Sequence, residues 1–84
     1  MKIVLDLRGA QTPEAAHDYL RRALAFPDYY GKNLDALYDL LSVWDIPAAF
    51  VLRLPGRGDM AAYGKRLRLV FEDAARENGR ISVK

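Results

Sequence analysis

The sequence predicts an α/β domain, a three-stranded parallel sheet packed by three to four helices, with residues 1–84 as a single domain. Three observations lead there. Three short β-rich runs alternate with segments whose apolar residues recur at helical spacing. Helical connections between successive strands favour parallel pairing with right-handed crossovers. At 51% hydrophobic and 29% charged, the 84 residues have the composition of a soluble globule. A chain of this size buries roughly 60–70% of its unfolded surface, enough for one modest core.

The first strand is KIVLDL, Lys2–Leu7, which soon meets the turn residue Gly9. Thr12 and Pro13 then mark a helix start, with Thr12 as N-cap, Pro13 at the first helical position and Glu14 at the positive end of the helix. Ala16, Tyr19, Leu20, Ala23 and Leu24 form one apolar face, and Pro27 sets an end near Ala25. Asp28 to Lys32 is a loop with Gly31 as its turn residue, and Asn33 is the N-cap of a second helix. Leu34, Leu37 and Leu41 line one face of that helix, flanked by Leu40 and Tyr38, and Pro47 closes the region. AAFVLRL, Ala48–Leu54, is nearly continuously apolar and is expected as a buried strand. Pro55, Gly56 and Gly58 make a turn. From Asp59, a helical period runs through Met60, Tyr63, Leu67, Val70, Phe71 and Ala74. Gly64 interrupts it, which predicts a kink or two consecutive helices. Asn78 and Gly79 suggest a C-cap, and RISVK, Arg80–Lys84, a last short strand. There is no internal repeat, low-complexity segment or linker.

Several function classes fall away. Without cysteine there is no disulfide framework and no thiolate chemistry. A single histidine, His17, argues against a zinc site, and no metal or cofactor is expected. The start, MKIVLDLRG, has too short an apolar stretch for a signal peptide, and no run approaches the ~18 apolar residues of a membrane span. A cytoplasmic protein without membrane attachment is the expectation. The net charge of +2 is unevenly placed. Between Ala23 and Phe50 stand Asp28, Asp35, Asp39 and Asp45 against Lys32 alone, a net −3, which leaves +5 on the remainder. That separation bears on partner choice more than the basic pI does, and nucleic acid is not the expected partner.

On the second helix, Asp35 and Asp39 project about 40° apart, opposite the leucines, with Ser42 beside them and Tyr38 at the edge of the stripe. Like charges one turn apart repel by about 0.2–0.5 kcal/mol. Asp35 is compensated by the helix dipole, whereas Asp39 sits mid-helix. Two readings stand: a merely solvated acidic face, or a binding face for a basic partner. The second accounts for Tyr29, Tyr30 and Trp44 just outside the helix ends, because tyrosine and tryptophan are typical interface anchors. Catalysis is not expected, since an exposed pair on a convex helix has no pocket to separate two pKa values. Arg53, Arg57, Lys65, Arg66 and Arg68 have the charge to contact phosphates. They lack the aromatic interleaving of single-strand binders and read as a solvated face. His17 falls with Asp18, Arg21 and Arg22 on the polar side of the first helix, while Tyr63 and Phe71 belong to the core.

LAFPDYYGKNLDALYDLLSVW, Leu24–Trp44, resembles the barstar family of intracellular ribonuclease inhibitors, and LVFEDAARENG, Leu69–Gly79, is similar to it more weakly. The resemblance covers most of the chain. It implies a three-stranded parallel sheet packed by helices, with the second helix and its preceding loop plugging a ribonuclease active site. By the same resemblance Asp39 would enter the phosphate pocket as a substrate mimic and Asp35 would pair at its mouth. Tyr29 would stack near the catalytic histidine, with Trp44 and Asp73 at the periphery. Gly31 and Asn33 match positions that shape the loop and begin the helix. The complex that gives the family its name is itself a reference case for charged hot spots and steering, so these roles are inherited by resemblance. The chain departs from the family in its basic balance, in the absence of cysteine, in Lys32 for an acidic residue, in Tyr38 for tryptophan and in Val43 for glycine. The implied protein is a free monomer that forms a one-to-one complex with a toxic, barnase-like ribonuclease whose active site is cationic. The alternatives are an immunity or adaptor protein binding another basic partner on the same scaffold, and a small RNA-binding module using the arginine-lysine set.

Overall fold

The computed structural model describes residues 1–84. Its elements are β1 (Lys2–Asp6), α1 (Pro13–Ala23), α2 (Leu34–Ser42), β2 (Ala48–Arg53), α3 (Met60–Glu77) and β3 (Ile81–Val83). The strands form one parallel sheet in the order β1-β2-β3. The predicted α/β class and parallel pairing hold, with three helices.

The register explains the core. Ile3 pairs with Phe50 and Leu5 with Leu52, while Ala48 and Phe50 pair with Ile81 and Val83, so one face of the sheet is apolar throughout. Leu5, Phe50, Leu20, Leu37, Leu41, Leu67 and Phe71 are fully buried against that face or among the helices. The opposite face is open: Val4 is 44% exposed, and Ala49 and Val51 are only half-buried. β2 therefore alternates, where the apolar run from Ala48 to Leu54 had suggested a strand covered on both sides. All three helices are spent on one face, which leaves none for the other.

α1 begins as expected. Thr12 Oγ1 accepts a hydrogen bond from the Ala15 N–H at 3.0 Å, and Pro13 occupies the first turn. It ends at Ala23, a little before the expected Ala25, because Ala25 turns left-handed at φ 54° and the Phe26 N–H reaches back to the Arg21 carbonyl at 2.9 Å. α3 is one uninterrupted helix of 18 residues, not two. Gly64 serves close approach: a Cβ there would lie 3.2 Å from the Pro55 carbonyl oxygen. Asn78 does cap α3, in an extended conformation at φ −123°, so the left-handed glycine cap suggested by Gly79 is not used. No helix is long and apolar enough to cross a membrane.

Candidate protein-interaction face

The face is built on α2. Leu37 and Leu41 are fully buried, and this fixes the helix's rotation and turns Asp35 and Asp39 outward. Neither carboxylate has an ion-pair partner, although Asp6, Asp18, Asp28 and Asp73 all do. Both ends of α2 are held by asparagines. Asn33 Oδ1 accepts from the Ala36 N–H at 2.8 Å, and its Nδ2 donates to the Gly31 carbonyl at 3.2 Å. At the other end, the buried Asn78 Nδ2 donates to the Leu41 carbonyl at 3.0 Å and to the Trp44 carbonyl at 2.8 Å. These bonds tie the end of α3 to the end of α2 and to the turn just beyond it, adding to the Trp44 N–H that the Leu41 carbonyl already accepts at 3.2 Å. Ser42 Oγ donates to the Tyr38 carbonyl at 2.7 Å, so its hydroxyl is engaged within the helix.

The preceding loop is more constrained than its sequence suggests. The left-handed residue is Lys32, at φ 54°, and not Gly31. At Gly31 a Cβ would lie 3.2 Å from Asn33 Nδ2, tight against the side chain that caps α2. Lys32 Nζ lies 2.7 Å from Asp18 Oδ1 on α1. That hydrogen-bonded ammonium holds the Asp18 carboxyl below its usual range. The positive charge inside the loop is thus paired within the molecule, in an ion pair that stays partly exposed.

The predicted aromatic frame divides in two. Tyr29 is 85% exposed, and an aromatic ring left so open has nothing to pack on within the chain. Tyr30 points inward and is buried. Its hydroxyl lies 2.6 Å from His17 Nδ1, and its ring packs on Phe26 with centroids 5.0 Å apart. Trp44 is half-buried, edge-on to Phe50 at 5.6 Å and to Phe26 at 6.5 Å, with its indole N–H enclosed and unpartnered. Tyr38 is half-buried at the flank of α2. Asp73, on α3, is partly exposed and bonded to Arg76. The structure therefore leaves Asp35 and Asp39 exposed on α2 with Tyr38 half-buried at their flank, exposes Tyr29 in the preceding loop, and turns Tyr30 and part of Trp44 inward.

His17 contradicts its sequence reading. It is fully buried, not on the polar side of α1, and bonds Tyr30 through Nδ1 and Tyr63 through Nε2, both at 2.6 Å. Burial lowers the His17 pKa, against a smaller opposing pull from Asp18, and raises those of both tyrosines. The signal was present in the helical phase. His17 lies only about 20° from Leu24, whereas Ala23, assigned to the apolar face, is exposed. A neutral imidazole donates at one nitrogen and accepts at the other, so it joins α1, the loop and α3 through two hydroxyls.

The cationic set does not form one track. Arg66 borders the start of α2 with Asn33, Asp35 and Tyr63, and its guanidinium stands 5.8 Å from the Tyr63 ring centre. Lys65 and Arg68 line a separate cleft with Leu54 and Pro55, and Arg57 lies in the loop before α3.

Two comparisons bear on this arrangement. A family described as "Barstar (barnase inhibitor)" matches residues 1–83. The chain is also 51% identical over 53 residues to a Bacillus subtilis (strain 168) protein named "Putative ribonuclease inhibitor YrdF". That stretch is 62% of this chain and 58% of the relative, so the match spans little more than half of that protein's length. The family match omits only Lys84 and therefore takes in the sheet, all three helices and the acidic helix with its loop. On that extent the chain belongs to the barstar family, which is described by inhibition and not by catalysis.

Proposed function

We propose that this protein inhibits a ribonuclease toxin in the cytoplasm, covering the enzyme's cationic active site one-to-one with α2 and the loop before it. The observation that carries this reading is the pair of exposed, unpaired carboxylates, Asp35 and Asp39, on a helix fastened at both ends by Asn33 and Asn78. A phosphate-binding pocket is lined with donors and positive charge. Fixed anions on a rigid helix meet it without an ordering penalty. Asp39 acts as the central phosphate substitute, Asp35 pairs beside it, and Tyr29 supplies an exposed ring for stacking. Tyr38 and Ser42 border the contact, with Trp44 and Asp73 at its margin. Gly31, Asn33 and Tyr30 hold the loop in shape. The free protein is monomeric in this reading.

Titration calorimetry against a barnase-class ribonuclease, alongside fluorogenic RNA cleavage, tests the proposal. A stoichiometry of one and loss of cleavage are expected. Asp39→Ala should weaken binding by about 2–5 kcal/mol, the range for truncating one partner of a buried interfacial charge pair. An unchanged dissociation constant would remove Asp39 from the centre of the contact.

A further inference from the structure

We propose that Arg66 carries the inhibitory face onto α3 and selects ribonucleases that hold a carboxylate next to the cationic group met by Asp35. The inference rests on the reading of α2 as the contact surface, and it adds a fixed positive charge to that acidic surface. Arg66 is exposed and borders a recess of about 280 Å³ with Asn33, Leu34, Asp35 and Tyr63. A second recess sets it near Asp59. Arg66 forms an ion pair with neither aspartate, although Asp6, Asp18, Asp28 and Asp73 are each paired with a cation.

The guanidinium is nonetheless held in place. It stands 5.8 Å from the centre of the Tyr63 ring, within the range of a cation–ring attraction. Tyr63 is itself anchored, because its hydroxyl lies 2.6 Å from Nε2 of the fully buried His17. A planar guanidinium over an anchored ring keeps its edge donors for a carboxylate, which it binds through two parallel hydrogen bonds.

The placement of Arg66 on α3 puts it on the same side as the proposed contact. Tyr63, near the start of α3, adjoins the start of α2, and Asn78, just past the end of α3, bonds the Leu41 carbonyl near the end of α2. The two helices therefore run side by side in the same direction. Arg66 and Asp73 project within about 20° of one another around α3, about 10 Å apart along its axis. Asp73 is at the margin of the proposed contact, so an enzyme that spans α2 and reaches Asp73 also meets the flank that bears Arg66. Lys65 and Arg68 project roughly 100° and 160° away from Arg66 and take no part.

Opposite charges that share a recess without pairing are complementary to the reverse arrangement on a partner. Asp35 takes a cation and Arg66 takes an anion, and the two groups stand side by side on the enzyme. The ribonuclease that fits is therefore not uniformly positive around its phosphate site but has an aspartate or glutamate at the rim. An enzyme with only arginine and lysine there would press like charge against Arg66, and specificity gains from that repulsion as well as from the matched pair.

The sign of one substitution separates this from general attraction between an acidic face and a basic enzyme. Were Arg66 a bystander in a cationic field, Arg66→Glu would tighten the complex. The expected result is the reverse. The Kd for a barnase-class ribonuclease, measured by titration calorimetry, should rise at least about tenfold in Arg66→Glu and recover in part in Arg66→Lys. Arg66→Gln, which keeps an uncharged side chain of similar reach, should also weaken binding and serves where the melting curve of Arg66→Glu shifts. Replacing the enzyme's rim aspartates and glutamates by lysine, one at a time, should reveal a position that restores binding to Arg66→Glu and weakens binding of the wild-type chain. Equal or tighter binding by Arg66→Glu overturns the inference, as does the absence of any restoring lysine. In either case the reading of α2 survives if Asp39→Ala still weakens the same complex. If the wild-type chain does not bind the enzyme, that reading falls and the inference falls with it.

Discussion

Replacing His17 with alanine tests whether the imidazole is the pin that fastens the loop to the core. The residue is fully buried and holds two hydroxyls at 2.6 Å. Without it the Tyr30 hydroxyl, in a residue only 5% exposed, loses its partner, which costs about 1–3 kcal/mol. Tyr63 is half-buried and regains water more readily, so its lost bond costs about 1 kcal/mol. The two bonds together cost about 2–4 kcal/mol and lost packing adds to that, a large share of the ~4–13 kcal/mol typical of a chain this long. Urea unfolding followed by tryptophan fluorescence should show a lower midpoint with an unchanged slope. The wild type carries a pH signature as well. Burial depresses the folded-state pKa of His17, so the unfolded chain binds the proton more tightly. Stability from this group is complete above the unfolded value of about 6.5 and is lost as pH falls from there toward the lowered folded pKa. The slope from this one group is at most about 1.4 kcal/mol per pH unit. A destabilisation of His17→Ala below about 1 kcal/mol would refute the argument, as would the same slope persisting in the variant.

Asn78→Ala removes both side-chain bonds to the carbonyls at the end of α2 and should lower stability by about 1–3 kcal/mol, read from thermal melts; a loss within error would mean that water replaces the amide. Gly64→Ala places a methyl group 3.2 Å from a backbone oxygen and should destabilise by about 1–3 kcal/mol despite alanine's higher helix propensity, whereas a stabilised variant would show that α3 shifts freely. Asn33→Ala removes the cap of α2 and should cost about 0.5–2 kcal/mol in urea unfolding, with faster amide exchange at Ala36 as its local mark.

The legible parts of the fold were those set by local chemistry. Thr12-Pro13 and Asn33 mark helix starts because a side-chain oxygen reaching an amide three residues on is a short-range event. The acidic stripe was legible because the leucines opposite it fix the phase of α2. The parts missed depend on contacts distant in sequence. Nothing near Lys32 announces a left-handed lysine, since its tether, Asp18, lies on another helix. Gly64 looked like a break because a helix-interior glycine is locally unfavourable, and its reason, Pro55, is visible only when β2 and α3 are packed. His17 is polar, yet its helical phase beside Leu24 points it inward. Tyr30 and Trp44 looked like Tyr29 as anchors, and sequence alone did not distinguish a ring facing out from one packed on Phe26. The alternation of β2 was hidden because Ala49 and Val51 remain apolar on the open face.

The basic balance of the chain raises the question of how it would attract a cationic enzyme. Distance supplies the answer. The molecule extends 33 × 27 × 19 Å, while the screening length at physiological ionic strength is about 8 Å. Charges on the far side, Lys65 and Arg68 among them, are largely screened from a partner approaching α2. The charges on α2 itself are Asp35 and Asp39, with Arg66 beside Asp35 as an opposing group. Lys32, the charge most damaging to an acidic loop by sequence, is paired with Asp18, which offsets part of its field. For the proposed contact, net charge is therefore the wrong quantity. What matters is the potential within one screening length of α2, and there the unpaired carboxylates dominate. The excess positive charge elsewhere acts against encounter only as salt is lowered, when the whole molecule begins to be felt at once.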